Sequence, residues 1–191
     1  MSDFHQNGVI STLHNLSTRS LEEIERELRE YSKSAPIELI LPSLYSELEG
    51  PALKNIVECL SKVKYLNHIT VGLDRATKKE YIKAKEFFSN LNQSHSVLWN
   101  DSPEMKKLDK DFMALGIAPD QAGKGKNVWY CMGYTYSRNE AKSVALHDCD
   151  IMTYSRELLA KLVYPVANPH FNYEFCKGYY PRVRDGSLGG R

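Results

Sequence analysis

This sequence predicts an α/β fold with a mainly parallel sheet covered by helices on both faces, and three observations carry that expectation. Apolar runs of strand length alternate with stripes of helical period along most of the chain. Two helices open on side-chain capping signals. The breaks between elements fall on Pro and Gly, as turn chemistry requires. The 191 residues suffice for one compact domain with a sizeable core, so residues 1–191 are expected to form one.

Taken in order, Ser20 and Glu23 have the form of a capping box, and Leu21, Ile24, Leu28 and Tyr31 recur at helical spacing behind them. After Ala35-Pro36 comes the strand-length run IELIL, and after Gly50-Pro51 a second stripe of Leu53, Ile56, Val57, Leu60 and Val63. HITVGLD (68–74) reads as a buried strand, followed by a helix that Thr77 and Glu80 open. SVLWND (96–101) supplies a third strand, residues 102–116 a helix, and APDQAGKGKN a loop. VWYCMGYTYSRN then reads as a helix beginning near Asn127, and SVALHD (143–148) as the fourth strand. The texture changes from residue 165: YPVANPH carries two prolines, FNYEFCKGYY alternates like an edge strand, and RDGSLGGR ends in a glycine-rich loop, as in a chain cut short.

Composition narrows the function. With 25 Lys and Arg against 24 Asp and Glu, the chain has no global field to draw it onto nucleic acid or acidic membranes, so any anion must be bound locally. The N-terminus has no signal-peptide form and no run is long enough to span a bilayer, which predicts a cytoplasmic protein. Four separated cysteines without a C-x-x-C pair argue against a zinc knuckle or disulfide framework. The histidines are scattered too, so a metal site would have to use carboxylates.

In such sheets ligands lie beyond the carboxyl ends of the strands, and three features fall there. Asp148-Cys149-Asp150 follows an apolar strand; alternate residues of extended chain point the same way, so both carboxylates can face one cation. Mg²⁺ or Mn²⁺ takes oxygen ligands, with phosphates and water completing the shell. The other reading is a strand-end turn whose carboxylates cap backbone N–H groups. A second copy, Asp109-Lys110-Asp111, stands in a charge-rich stretch with no strand before it and reads as a solvated helix face. Gly123-Lys124-Gly125-Lys126 opens a helix, where glycines allow close approach of an anion, the helix end offers free N–H groups and lysine adds charge. It lacks the Walker pattern, and a flexible surface connection is its alternative. Pro42, Ser43, Leu44, Tyr45 and Glu47 follow the first strand, offering a rigid bend, an aromatic face and an acceptor, or else an ordinary connecting loop. Asp74 ends the second strand, placed to accept from a base or ribose, or to cap its turn.

Together LPSLYSELEGPALKNIV, VGLDRA, GKGKNVW, VALHDCDI, LVYPVANP and FCKGYYPRV resemble glucosyl-3-phosphoglycerate synthases, retaining glycosyltransferases of the GT-A fold, over about residues 4–191. Mannosyl-3-phosphoglycerate synthases are similar. The resemblance implies a Rossmann-like nucleotide-sugar-binding domain and transfer of glucose from a nucleoside diphosphate to the 2-hydroxyl of 3-phosphoglycerate with Mg²⁺ or Mn²⁺. It implies donor contacts from Pro42, Ser43, Leu44, Glu47, Asp74, Gly123, Lys124, Gly125 and Asp148. Asp148 and Asp150 would hold the metal, with Lys124 assisting catalysis, and Gly190 and Arg191 would begin an acceptor loop. Two departures stand out. Tyr45 and Ser46 replace the family's usual Asn and acidic residue, and the family's later metal-binding histidine has no counterpart, leaving 165–191 an incomplete acceptor portion. Donor binding is therefore expected ahead of turnover. A homodimer is compatible with this reading; no nucleic acid or membrane partner is expected. The rival classes are a sugar nucleotidyltransferase, whose glycine-rich first loop is missing here, and a non-catalytic nucleotide-binding fragment.

Overall fold

The computed structural model describes residues 18–178 and the backbone of 182–184 and 187–189. In chain order the elements are α1 (Leu21–Ser34), β1 (Ile37–Leu44), a 3₁₀ turn (Tyr45–Glu49), α2 (Pro51–Ser61), β2 (Leu66–Asp74), α3 (Lys78–Phe88) and β3 (His95–Trp99). Then follow α4 (Pro103–Ala114), α5 (Lys124–Arg138), β4 (Ser143–Leu146), α6 (Arg156–Ala167), β5 (Arg182–Arg184) and β6 (Ser187–Gly189). The expected capping boxes form: Ser20 and Glu23 exchange hydrogen bonds at the start of α1, as do Thr77 and Glu80 at α3.

Four parallel strands make one sheet in the order β3-β2-β1-β4, while β5 and β6 pair antiparallel as a separate ribbon. Because side chains alternate across a strand, the sheet has two unlike faces. Ile37, Leu39 and Leu41 of β1 and Ile69, Val71 and Leu73 of β2 point into one apolar cluster, joined by Ile24 and Leu28 of α1, Leu53, Ile56 and Leu60 of α2, Ala84 and Phe88 of α3, and Leu159 and Val163 of α6. The intervening residues Glu38, Ile40, His68, Thr70 and Gly72 face α5. Helices thus cover both faces, as expected, with α5 on the second.

Four expectations are corrected. First, α4 lies on α5 rather than on the sheet: Phe112 packs edge-on against Trp129, and Asp109 takes an ion pair from Lys126 at 2.7 Å and a hydrogen bond from Tyr130 Oη at 2.6 Å. Asp109 is therefore a half-buried anchor and not a solvated helix face. Burial opposes its ionisation, yet the bonds from Lys126 and Tyr130 outweigh burial and hold its carboxyl below the ordinary value. Second, α6 runs through Pro165 in its last turn, forgoing one backbone hydrogen bond there. Third, residues 171–178 form no edge strand. Asn168 accepts from the His170 N–H at 2.9 Å, and Asn172 adopts a left-handed φ of 54°, so the chain turns instead of extending. Fourth, the terminal glycine-rich stretch contributes β6. No helix among the described residues is long and apolar enough to cross a membrane.

Candidate functional site

The carboxyl ends of β1, β2 and β4 lie side by side, and the sequence features meet there. Pro42 and Ser43, expected in a loop, belong to β1, which continues to Leu44. A proline is tolerated because the ladder between β1 and β4 stops at Ile40, leaving Pro42 paired with β2 alone. Both residues are buried and Leu44 half-buried. Glu47 closes the turn: its Oε2 accepts from the Leu44 N–H at 2.9 Å and from Ser43 Oγ at 3.1 Å. One oxygen of the expected donor contact is thus engaged in shaping its own loop.

Past β4, burial alternates: His147 and Cys149 are inside, Asp148 is half-exposed and Asp150 exposed. The strand itself ends at Leu146 and Cys149-Asp150 form a turn, so both aspartates stand just past the end of β4. Cys149 turns inward against Ser43, with which it hydrogen-bonds, and burial pushes its thiol up. That contact joins the β1 tip to the aspartate segment. His147 Nδ1 lies 3.1 Å from Tyr154 Oη, its Nε2 has no partner, and burial lowers its pKa to about 4, so the ring is neutral. Asn55 donates to the Tyr154 carbonyl at 2.9 Å, tying the segment to α2.

The Gly-Lys-Gly feature differs from the expectation in register. Gly123, at φ 139°, is the N-cap, and α5 begins at Lys124, so Lys124 and Gly125 form the first helical turn instead of a preceding loop. The free N–H groups of that turn and the Lys124 ammonium lie together. Lys124 Nζ makes an ion pair with Asp148 Oδ1, which brings the helix start to the aspartates.

Asp74 sits opposite Leu44 in the β1–β2 register. Burial raises its pKa, and hydrogen bonds from Asn100 and Asn127 pull it back. Asn100 Nδ2 donates to Asp74 Oδ1 at 2.7 Å; Asn127 Nδ2 donates to the Gly72 carbonyl at 2.9 Å. A Cβ on Gly72 would stand 1.8 Å from Asn127 Oδ1, so glycine is what lets α5 reach the sheet. Asn100, Asn127, His147 and Tyr154 were not singled out by sequence reasoning. Asn127, directly after the Gly-Lys-Gly-Lys run, and His147, directly before Asp148-Cys149-Asp150, had a neighbouring signal.

Contacts and register join Ser43, Leu44, Glu47 and Asp74 at the tips of β1 and β2, and Lys124 to Asp148 past β4; Pro42, Gly123, Gly125 and Asp150 are their chain neighbours, and Gly190 and Arg191 lie outside the described residues. No group of three or more His, Cys, Asp or Glu side chains gathers to hold a metal among the described residues. Asp148 and Asp150 are carboxylates, the oxygen-donor type that suits Mg²⁺ or Mn²⁺ when phosphates and water supply the other ligands.

Fold and site together define a GT-A-type α/β domain. No family model matches the chain. Its sequence is nevertheless similar to glucosyl-3-phosphoglycerate synthases: it is 49% identical over 183 residues to that synthase from Persephonella marina and 36% identical over 187 residues to the one from Methanococcoides burtonii. These alignments cover 96% and 97% of the chain but 45% of each relative, so the chain spans about half the length of the curated relatives it matches. The fold is similar to the crystal structure of glucosyl-3-phosphoglycerate synthase from Mycobacterium tuberculosis with Mn²⁺, UDP and glucosyl-3-phosphoglycerate. There the TM-score is 0.51 at 17% identity, over 82% of this chain and 47% of that one.

Proposed function

We propose that residues 1–191 are the donor-binding domain of a metal-dependent, retaining glycosyltransferase that moves glucose from a nucleoside diphosphate to 3-phosphoglycerate in the cytoplasm. One observation carries the reading: Lys124 at the start of α5 meets Asp148, while Cys149 meets Ser43, so helix start, aspartate segment and β1 tip adjoin one another. The relatives' names and the UDP and Mn²⁺ of the M. tuberculosis complex support it.

In this reading the nucleoside lies against Leu44 and Asp74, with its diphosphate over the first turn of α5. A divalent cation on Asp150, with Asp148 reaching the ribose, would offset the charge that grows on the leaving diphosphate. Lys124 adds a fixed positive charge, and the unpaired N–H groups of residues 124–126 solvate the same anion without reorganising. Retention follows from attack on the face the diphosphate leaves, where the departing phosphate takes the acceptor's proton. Gly190 and Arg191 begin the acceptor side, the arginine suiting phosphate or carboxylate through its bidentate fork.

Calorimetric titration with UDP, with and without Mn²⁺, tests the site. Binding is expected to depend on Mn²⁺ and to weaken at least about tenfold in Asp150→Ala. Equal affinity without metal, or an unchanged Asp150→Ala variant, would remove the metal role.

A further inference from the structure

The amide of Asn100 has no part in the donor site as the sequence reads it, yet it is committed to that site's edge. Its backbone N–H donates to the Leu73 carbonyl at 3.0 Å, locking the residue to the end of β2, and its Nδ2 donates to Asp74 Oδ1 at 2.7 Å. Its Oδ1 is buried with no hydrogen-bond partner. An unpaired buried carbonyl costs free energy, which alanine would avoid; what asparagine adds here is the N–H donor to Asp74. Turning the amide over would set oxygen against oxygen, so the orientation follows from the carboxylate.

We propose that Asn100 is a specificity-determining positioning residue: it holds the Asp74 carboxylate as an acceptor for the donor's base, selecting bases with a ring N–H over bases with a bare ring nitrogen. Uracil and guanine belong to the first kind, cytosine and adenine to the second. The inference rests on the donor site proposed above and names what that site reads. Asp74 is the group that meets the base. It lies beside Leu44 at the tip of β1, and a carboxylate accepts from N–H but repels a lone pair. Asn100 acts through Asp74, since its amide engages Asp74 Oδ1 and so fixes the plane of the carboxylate. Asn127 also donates to Asp74, but it supports α5 through Gly72 and Cys131, so Asn100 is the cleaner probe.

The test is a panel of affinities, measured by calorimetry with Mn²⁺ for UDP, GDP, CDP, ADP and base-free pyrophosphate, on the full chain and on Asn100→Ala. Asn100→Leu, close in size and uncharged but without the donor, guards against a packing effect of the smaller side chain. The unaltered chain should prefer UDP and GDP by about tenfold or more, and both variants should lose most of that preference while binding Mn²⁺-pyrophosphate as before. A uniform loss across all five ligands would make Asn100 merely structural and overturn the inference, as would an unchanged preference. Should the unaltered chain bind pyrophosphate but no nucleotide better than it, the base-reading inference fails and the phosphate site stands. Should it bind none of the five, the donor site itself fails and the inference with it.

Discussion

The two faces of the sheet are built from alternate residues of the same strands, yet they differ in kind. One is dry: Leu39, Leu41, Ile69 and Val71 meet four helices in a continuous apolar core. The other meets α5 through polar groups. There His68 spans Ser94 and Ser96 at 2.9 and 3.1 Å, Ser96 bonds Tyr134 at 2.8 Å, and buried Glu38 lies 3.5 Å from Arg138. Apolar contact is non-directional and supplies most of the stability, whereas hydrogen bonds fix direction. The dry face accordingly holds the fold, and the polar face sets where α5, and Lys124 at its start, stands relative to the aspartates.

That division can be broken at three places. Phe88→Ala empties a fully buried site on the dry face and should cost about 3–5 kcal/mol in urea unfolding. UDP affinity of the fraction still folded should be unchanged. Gly72→Ala puts a methyl group 1.8 Å from Asn127 Oδ1 and 2.5 Å from Cys131 Sγ on the polar face. Its stability cost, about 1–3 kcal/mol, should be smaller, but UDP affinity should fall by about tenfold as α5 is displaced. If Phe88→Ala weakened UDP binding as strongly as Gly72→Ala, the division of labour would be wrong.

His68 sharpens the comparison through pH. Burial lowers its pKa from 6.5 to about 4, so below the unfolded value the unfolded chain binds a proton that the folded one refuses. Stability from this group is complete above the unfolded value and is lost as pH falls toward the folded one, on the order of 2 kcal/mol by about pH 5. Glu38, raised by burial, contributes with the opposite sign, so the measurement is the difference between unaltered protein and His68→Gln. Denaturant midpoints of the two should converge as acid is added, and parallel curves would mean that His68 is not held neutral.

Much of the scaffold was legible because it rests on local rules. Capping at Ser20 and Thr77 involves residues three apart, and the cores of the four main strands announce themselves as apolar runs. The polar face was not legible: Glu38 and His68 read as interruptions in those runs, and nothing local says that Arg138 or Ser96 will meet them. Asp109 was misread for the same reason, since its partners Lys126 and Tyr130 are 17 and 21 residues away. The donor features were visible as residue types at strand ends. Their meeting depended on the register of α5, which begins at Lys124 because Gly123 can adopt a φ of 139° that few other residues reach.

The order of the sheet has one more consequence. With β3 and β4 at its margins, β4 turns an unpaired row of amides and carbonyls outward among the described residues, flanked by exposed Val144 and Leu146. Only four residues long, it is still a template that any extended polypeptide can extend by main-chain pairing, because such pairing needs no matching side chains. That border ends at Leu146, two residues before Asp148, so the margin of the sheet and the aspartate segment are neighbours along the chain.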